Sequence, residues 1–191
     1  MMNPFEILGM PLKLVIPENE LEQQFDVRGK LSHPDAGGSD EEFSNVRSAY
    51  EQLKTPAGRI RAALEITVDE MDSRGTIPSE VMNHFSEVAM TLEKVDAILR
   101  EQSGVRSGLT RALVNAKIPA LKGQLEEVLA DLLKSEASLL GRFAEFDEVG
   151  WEKSFQAMAE VSRGLIFLSK WKSQLQGATG KLFEALLGGA R

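Results

Sequence analysis

The triplet His33-Pro34-Asp35 places an imidazole and a carboxylate on either side of a proline. Proline fixes its own φ and pushes the residue before it into an extended conformation. We therefore expect a stiffened loop that projects the side chains of His33 and Asp35. A carboxylate held in this way can form a charge-assisted pair with an arginine of another protein. The alternative is a plain turn, in which Asp35 only caps neighbouring backbone.

The rest of the sequence offers little that could carry out a reaction. The 191 residues include no cysteine, which excludes thiol catalysis, disulfides and cysteine-ligated metal sites. His33 and His84 are the two histidines of the chain, and so few argue against a His-rich metal site. Neither a glycine-rich phosphate loop nor a nucleophile motif is present. We therefore expect no enzyme activity, no metal and no cofactor.

Charge and hydropathy exclude some classes of partner and indicate the cellular compartment. The net charge of −7 argues against nucleic-acid binding, because neutralising phosphates requires clustered lysine and arginine. No apolar run approaches the ~20 residues that a membrane span needs. The first residues lack the basic and apolar regions of a signal peptide. The sequence thus predicts a cytoplasmic protein that binds neither nucleic acid nor membrane.

Helices are predicted on both sides of the triplet. A short first helix begins at Asn3-Pro4 and ends at Gly9. The helix directly before the triplet begins near Pro17 and ends near Leu31. The helix after it starts near Asp40, and a shorter helix follows beyond Pro56. Apolar residues at spacings of three and four mark the buried faces of the two helices that flank the triplet; they are Leu21, Phe25, Phe43, Val46, Ala49, Tyr50 and Leu53. The segment between the first two helices, Leu12 to Ile16, is too short to predict a strand.

The remainder of the chain is also predicted to be helical. After a connector at 67–79, three apolar stripes follow one another, typical of a helix bundle. The first repeats with alternating spacings of four and three through Val81, Phe85, Val88, Leu92, Val95 and Leu99. Pro119 is expected to kink or split the second. The predicted fold is therefore all-α, with one domain at 1–67 and an antiparallel three-helix bundle at 79–191.

Around the triplet, the sequence resembles the J-domain, or DnaJ-like, co-chaperones. The matching features are the element Phe5-Glu6-Ile7-Leu8-Gly9, the His-Pro-Asp triplet, and the third-helix residues Phe43, Val46, Ala49, Tyr50 and Leu53. The resemblance implies that residues 1–67 form a J-domain. It further implies that His33, Pro34 and Asp35 bind a DnaK-class chaperone and stimulate its ATPase, while the residues that hydrolyse ATP lie in that partner.

Two departures from the J-domain pattern concern chaperone binding. Where the family usually has lysine or arginine after the triplet, this chain has Ala36. The second helix of the family is strongly basic and meets an acidic chaperone surface, whereas here only Arg28 and Lys30 are candidates for that role. A solvated helix face is the alternative reading of these two residues.

Beyond residue 55 the chain resembles the iron–sulfur co-chaperones of the HscB/Jac family. The junction Leu53-Lys54-Thr55-Pro56-Ala57-Gly58-Arg59 is similar to that family's junction, and the last helix matches it at several positions from Phe155 to Lys170. The resemblance implies that the bundle binds the scaffold protein on which iron–sulfur clusters are built. The absence of cysteine agrees with a protein that delivers the scaffold but holds no cluster itself.

The client-binding residues implied by this resemblance are Val81, Met82, Phe85 and Phe167. Val81 and Phe85 also lie on the predicted seam, so they could equally belong to the core; Met82 and Phe167 lie off their seams. The two acidic positions of the family's patch fall on Ser86 and Ala89. A J-domain adaptor for another client, or a J-like structural module without chaperone stimulation, therefore remains an alternative.

Overall fold

The computed structural model describes residues 3–67 and 75–188, and within these ranges the chain is helical without strands. The all-α fold predicted from the sequence, an N-terminal J-domain followed by a helix bundle, is confirmed. No helix in the described ranges is both long and apolar enough to span a membrane. The α-helices are Pro4–Leu8 (α1), Glu18–Ser32 (α2), Asp40–Leu53 (α3), Pro56–Thr67 (α4), Ser79–Met82 (α5), Phe85–Ser103 (α6), Gly108–Asn115 (α7), Ile118–Gly141 (α8), Phe143–Val149 (α9) and Trp151–Gly188 (α10).

The chain divides into two compact units that are each built from separate stretches of sequence. The first unit comprises Met1–Thr76 and Leu139–Arg163, and the second comprises Ile77–Ser138 and Gly164–Arg191. The domain boundaries predicted from the sequence follow chain order, and they stay a prediction. Most of the predicted connector at 67–79 lies outside the described residues, since these exclude 68–74.

The helices of the first unit begin where their capping residues predict. The Asn3 side chain accepts a hydrogen bond from the Phe5 N–H at 3.0 Å, and α1 ends at Gly9. Ser39 and Glu42 form a reciprocal capping box that starts α3. These caps satisfy backbone groups that would otherwise lack a partner, and so they fix both ends of α1 and the start of α3, the helix that follows the loop.

A hairpin of α2 and α3 carries the loop and packs on α1. The rings of Phe25 and Tyr50 stack with their centroids 4.2 Å apart, whereas Phe43 lies near the loop end, against His33. Residues early in α2 thus meet residues late in α3, so the two helices are antiparallel. Around these helices lies a cluster of buried residues that belongs to the core of the first unit: Phe5, Leu8, Met10, Ile16, Leu21, Val46, Ala49, Leu53 and Ala62. Burying this apolar surface holds the base of the hairpin and leaves its tip at the surface.

The extended segment between α1 and α2 gets its backbone hydrogen bonds from side chains. The Asp147 carboxylate of α9 accepts bonds from the N–H groups of Leu14, at 2.8 Å, and Val15, at 3.0 Å. From the other side, the Arg59 guanidinium of α4 donates to the carbonyls of Leu14, at 3.0 Å, and Ile16, at 3.3 Å. The pairing that a strand partner would supply is therefore provided by one anion and one cation.

Side-chain pairs establish the topology of the second unit. Lys94 of α6 donates to Gln124 of α8, and Lys117 near the start of α8 pairs with Glu101 near the end of α6. Residue numbers thus rise along α6 as they fall along α8, so these two helices are antiparallel. Lys172 of α10 pairs with Glu136 of α8, and further along Leu175 and Thr179 of α10 line one cavity with Leu125 of α8. These two helices are also antiparallel, so this unit contains the antiparallel three-helix bundle that the sequence predicted.

Two details of the second unit differ from the sequence prediction. The first stripe is interrupted at Asn83 and His84, so α6 begins at Phe85 and that ring lies at the end of a helix, largely exposed. The chain between α6 and α8 forms an additional short helix, α7. Pro119 lies at the second residue of α8, where a missing N–H costs no helical hydrogen bond, and it marks the start of that helix without kinking it.

Candidate functional site

The triplet forms a single 3₁₀ turn, Pro34–Ala36, between α2 and α3. Nδ1 of His33 accepts the backbone N–H of Asp35 at 3.2 Å, so the neutral ring carries its proton on Nε2, which can donate to a partner. The Asp35 carboxylate reaches to 3.5 Å from the same Nδ1, and its side chain is 93% exposed. The loop therefore presents one donor and one anion to solvent, as the sequence predicted.

The His33 ring is held in place from below. It packs edge-on against the ring of Phe43, with centroids 5.4 Å apart and planes at 76°. The backbone carbonyl of His33 accepts N–H bonds from Ala36 at 2.9 Å and from Gly38 at 3.1 Å. A turn and an aromatic contact thus restrict the imidazole. Less side-chain entropy is therefore lost when a partner binds it.

Two glycines allow the chain to leave this loop and enter α3. Gly37 has φ +92°, in the left-handed region that glycine enters without a steric penalty. At Gly38 the backbone passes so close to α2 that a Cβ would overlap the carbonyl oxygen of Ser32. Other residues at these two positions would displace the turn, so the glycines help to set the position of the triplet.

A groove of about 490 Å³ opens beside the loop. It is lined by Phe25, Asp26, Gly29, Lys30, His33, Asp35, Ala36 and Phe43. Lys30 therefore lies in the same groove as His33 and Asp35. Its cation and their donor and acceptor can all engage one partner segment.

Arg28 is placed elsewhere on α2. Its guanidinium lies over the end of α1. A Cβ atom added at Gly9 would be only 2.5 Å from Nη2 of Arg28. Positions 28 and 30 differ by about 200° around an α-helix, so the two cations point to different sides of α2. The structure thus brings Lys30 to the loop and leaves Arg28 apart from it.

An exposed apolar pair lies on α2 close to the loop. Val27 and Leu31 are four residues apart and share a face, and both are more than half exposed. Their exposure shows that this face of α2 presents apolar surface to solvent.

The predicted client-binding residues divide between core and surface in the second unit. Val81 is fully buried, so it supports the surface from below and offers no side chain to a client. Met82 and Phe85 are 44% and 55% exposed, and Phe167 is half-buried. The ring centroids of Phe85 and Phe167 lie 6.3 Å and 5.7 Å from that of Trp171. Trp171 is itself buried, so it packs beneath the two phenylalanines and gives them a common support.

Trp171 was not among the predicted site residues, although the sequence carried a signal for it. It follows Phe167 by four residues on the same helix, and residues at that spacing are neighbours on a helix surface. We call Met82, Phe85, Phe167 and Trp171 the aromatic patch. Ser86 and Ala89 beside it are exposed and uncharged, so the acidic fringe expected from the family is missing at these positions.

The chain is similar to known proteins over nearly its whole length. A curated relative, the co-chaperone protein HscB of Proteus mirabilis, is 26% identical over 193 residues, which cover 96% of this chain and 99% of the relative. The structure of chaperone HscB from Vibrio cholerae is similar with a TM-score of 0.58 and 25% identity, covering 95% of this chain and 99% of that one. No protein-family model matches the chain. The resemblance to J-domain co-chaperones of the HscB type is thus confirmed, in sequence and in fold, over nearly the whole chain.

Proposed function

We propose that this protein is a J-type co-chaperone that binds a DnaK-class chaperone through His33, Pro34 and Asp35 and stimulates its ATPase. The observation that carries the proposal is the exposed triplet, with His33 oriented by Phe43 and by its own turn, in a chain that resembles HscB over nearly its whole length. The Asp35 carboxylate suits an arginine of the chaperone, and Lys30 supplies a cation to the same groove.

Stimulation requires that the loop bind one chaperone conformation more tightly than another. A ligand shifts a conformational equilibrium only by its differential affinity for the two states. A loop that is already ordered loses little entropy on binding, so more of its contact energy is available for that difference. In this proposal the protein has no catalytic residues of its own and acts in the cytoplasm.

Replacing His33 with glutamine is expected to abolish the stimulation. The amide keeps hydrogen-bonding capacity but loses the ring that packs on Phe43 and the acceptor that holds the Asp35 N–H. Single-turnover ATP hydrolysis by the organism's DnaK-class chaperones, with and without the protein, measures the effect. His84→Gln is the matched control, because it makes the same change in the second unit and should stimulate like the wild type. Equal stimulation by His33→Gln and wild type would contradict the proposed role of the loop.

We further propose that the aromatic patch binds the client, the scaffold protein of iron–sulfur cluster assembly. Aromatic residues and methionine are enriched at protein interfaces relative to the rest of the surface. The buried ring of Trp171 contacts Phe85 of α6 and Phe167 of α10, so these two side chains from different helices share one support. Its support is the position of these residues and the resemblance to HscB.

Phe85→Ser is expected to weaken binding of the scaffold by about tenfold or more, the loss typical of a central aromatic contact. Isothermal titration calorimetry with the purified scaffold measures it. Met90→Ser is the control, since Met90 lies on the same helix and is also 55% exposed. If both variants bind like the wild type, the client does not use the aromatic patch.

An adaptor for a different client is the second candidate, favoured by the uncharged residues Ser86 and Ala89 beside the patch. It keeps the chaperone-binding loop and changes only what is delivered. If the wild type stimulates the chaperone and His33→Gln does not, while the scaffold fails to bind at all, this second candidate holds. Genes for a cysteine desulfurase and a scaffold next to this one would favour the first.

A further inference from the structure

Gly29 leaves a gap in the wall of the groove beside the loop. Phe25, Gly29 and His33 follow one another at intervals of four residues and all line this groove, so they are neighbours along one side of α2. The outer two carry rings, whereas glycine has no side chain. Phe43 of α3 faces the gap, because a Cβ atom added at Gly29 would be 3.8 Å from its Cε2. We call the space between Gly29 and these three rings the recess.

The fold does not require glycine at position 29. A Cβ atom there would make an ordinary van der Waals contact with Phe43, and the φ of Gly29 lies outside the left-handed region that favours glycine. Gly37 and Gly38 differ, since the conformation of the first and the surroundings of the second demand glycine. Within a helix glycine is less stable than alanine, because it loses more backbone entropy on folding. The open recess therefore lowers the stability of α2, which is expected where another molecule uses the space.

The walls of the recess indicate which kind of side chain fits. One face of the Phe25 ring is covered by Tyr50, and Cε2 is the only atom of Phe43 within 4 Å of a Cβ at Gly29, so Phe43 turns an edge inward. A cation is attracted to the face of an aromatic ring, whereas the ring edge carries partial positive charge. Burying a charged group there without a partner would also cost its hydration. The recess therefore suits an apolar side chain of about the size of valine or leucine.

The neighbouring groups indicate which molecule supplies this side chain. His33 and Asp35 line the same groove as Gly29, so a partner that binds the triplet also covers the recess. Asp35 suits an arginine of that partner, and Asp26 adds a second exposed carboxylate to the rim of the groove. The occupant is therefore a segment of the chaperone in which an apolar residue lies close to an arginine.

We propose that Gly29 opens a recess for an apolar side chain of the DnaK-class chaperone, and that this contact selects which chaperone the protein stimulates. The inference rests on the proposed function and adds an apolar contact to the polar contacts of the triplet. A chaperone with a charged side chain at this point would lose hydration without gaining a partner, so it would bind more weakly.

Filling the recess tests the proposal. Gly29→Leu places a side chain where that of the chaperone would lie. We expect the protein concentration that gives half-maximal stimulation of single-turnover ATP hydrolysis to rise by about tenfold or more. Gly29→Ala fills only part of the recess, and the same concentration should rise by about threefold.

Gly177→Leu is the matched control. It makes the same replacement on the exposed surface of α10, where a Cβ atom would meet nothing within 4 Å, and it should stimulate like the wild type. Thermal unfolding separates blocked binding from a damaged fold. Gly29→Ala should raise Tm by about 2–4 °C, because alanine is favoured over glycine in a helix. A protein that is more stable and yet stimulates less well has lost a contact with its partner.

The imidazole NMR signals of His33 show whether a replacement at Gly29 moves the triplet. We expect them to be unchanged in both variants. If Gly29→Leu pushes Phe43 against His33, these signals will shift, and Gly29→Ala then decides the question because its Cβ fits at 3.8 Å from Phe43.

Cross-linking identifies the side chain that enters the recess. The chain has no cysteine, so Ala36→Cys provides a single attachment site for a benzophenone maleimide in the wall of the same groove. After irradiation with the ATP-bound chaperone, mass spectrometry should locate the cross-link in a segment that has an apolar residue close to an arginine. Adding Gly29→Leu should remove most of this product.

The possible outcomes distinguish this inference from the proposed function. If Gly29→Leu and Gly29→Ala both stimulate with the wild-type concentration dependence while His33→Gln fails, the triplet binds the chaperone and the recess takes no part. A cross-link to a segment without an apolar residue would also overturn the inference. If the wild type stimulates none of the organism's DnaK-class chaperones, the proposed function and this inference are both wrong.

Discussion

Asp147→Ala is expected to lower the free energy of unfolding by about 3–5 kcal/mol, since it removes the charged acceptor of several hydrogen bonds at once. The carboxylate accepts the N–H groups of Leu14 and Val15 and, at 3.0 Å, the indole N–H of Trp151. The Leu14 side chain is fully buried, so its N–H can gain little water in exchange. Urea denaturation measures the loss.

The adjacent residue supplies the control for Asp147. Glu148→Ala removes an equal charge from an exposed position of the same helix and should cost less than about 0.5 kcal/mol. Hydrogen exchange adds a local readout, because the amides of Leu14 and Val15 should lose protection in Asp147→Ala and keep it in Glu148→Ala. If the two variants unfold at the same denaturant concentration, the carboxylate does not hold the segment.

Arg59→Met is expected to destabilise the protein by about 2–4 kcal/mol, because it leaves backbone carbonyls without their charged donor. The guanidinium donates to the carbonyls of Leu53, Leu14 and Ile16. Burial lowers the pKa of Arg59, and the Coulombic attraction of Glu18 partly offsets this shift. Arginine nevertheless stays protonated in proteins, so the contribution should not vary with pH near neutrality. Thermal unfolding at two such pH values measures both effects.

Arg61→Met is the control for Arg59. Arg61 lies two residues away on the same helix, and its side chain is 63% exposed and paired with Glu65. An exposed pair of this kind contributes little, so its loss should cost less than about 1 kcal/mol. Since Arg59 and Asp147 both bind Leu14, their double variant should lose less than the sum of the single losses. Strict additivity would mean that the two side chains act independently.

Local signals in the sequence predicted the site well where they act within one segment. Asn3, Gly9 and Pro34 specify caps and turns through their own backbone preferences, and the structure places each where expected. The stripe that contains Phe43 predicts the face of α3 that supports His33. Such signals need no knowledge of the rest of the chain.

The features that sequence reasoning missed depend on contacts between distant residues. Asp147 binds a segment more than a hundred positions earlier, and no residue near Leu14 in the sequence predicts that partner. Phe85 keeps the spacing of a buried seam, but the break at His84 makes it the first residue of a new helix, where neighbours are few. The spacing of Trp171 from Phe167 is a local signal, but its contact with Phe85 depends on the packing of α6 and α10.

The composition of the first unit limits how freely its J-domain can be exchanged. The unit includes Leu139–Arg163 as well as the N-terminal helices, so cutting the chain after residue 67 removes both Asp147 and Trp151 from it. The ring of Trp151 packs 5.6 Å from that of Phe5, at the centre of the J-domain core. A graft of the first 67 residues onto another protein would therefore carry the His33-Pro34-Asp35 triplet but lack two side chains that hold the rest of the unit. In evolution as in the laboratory, the J-domain and the late helices that complete it would have to be inherited together.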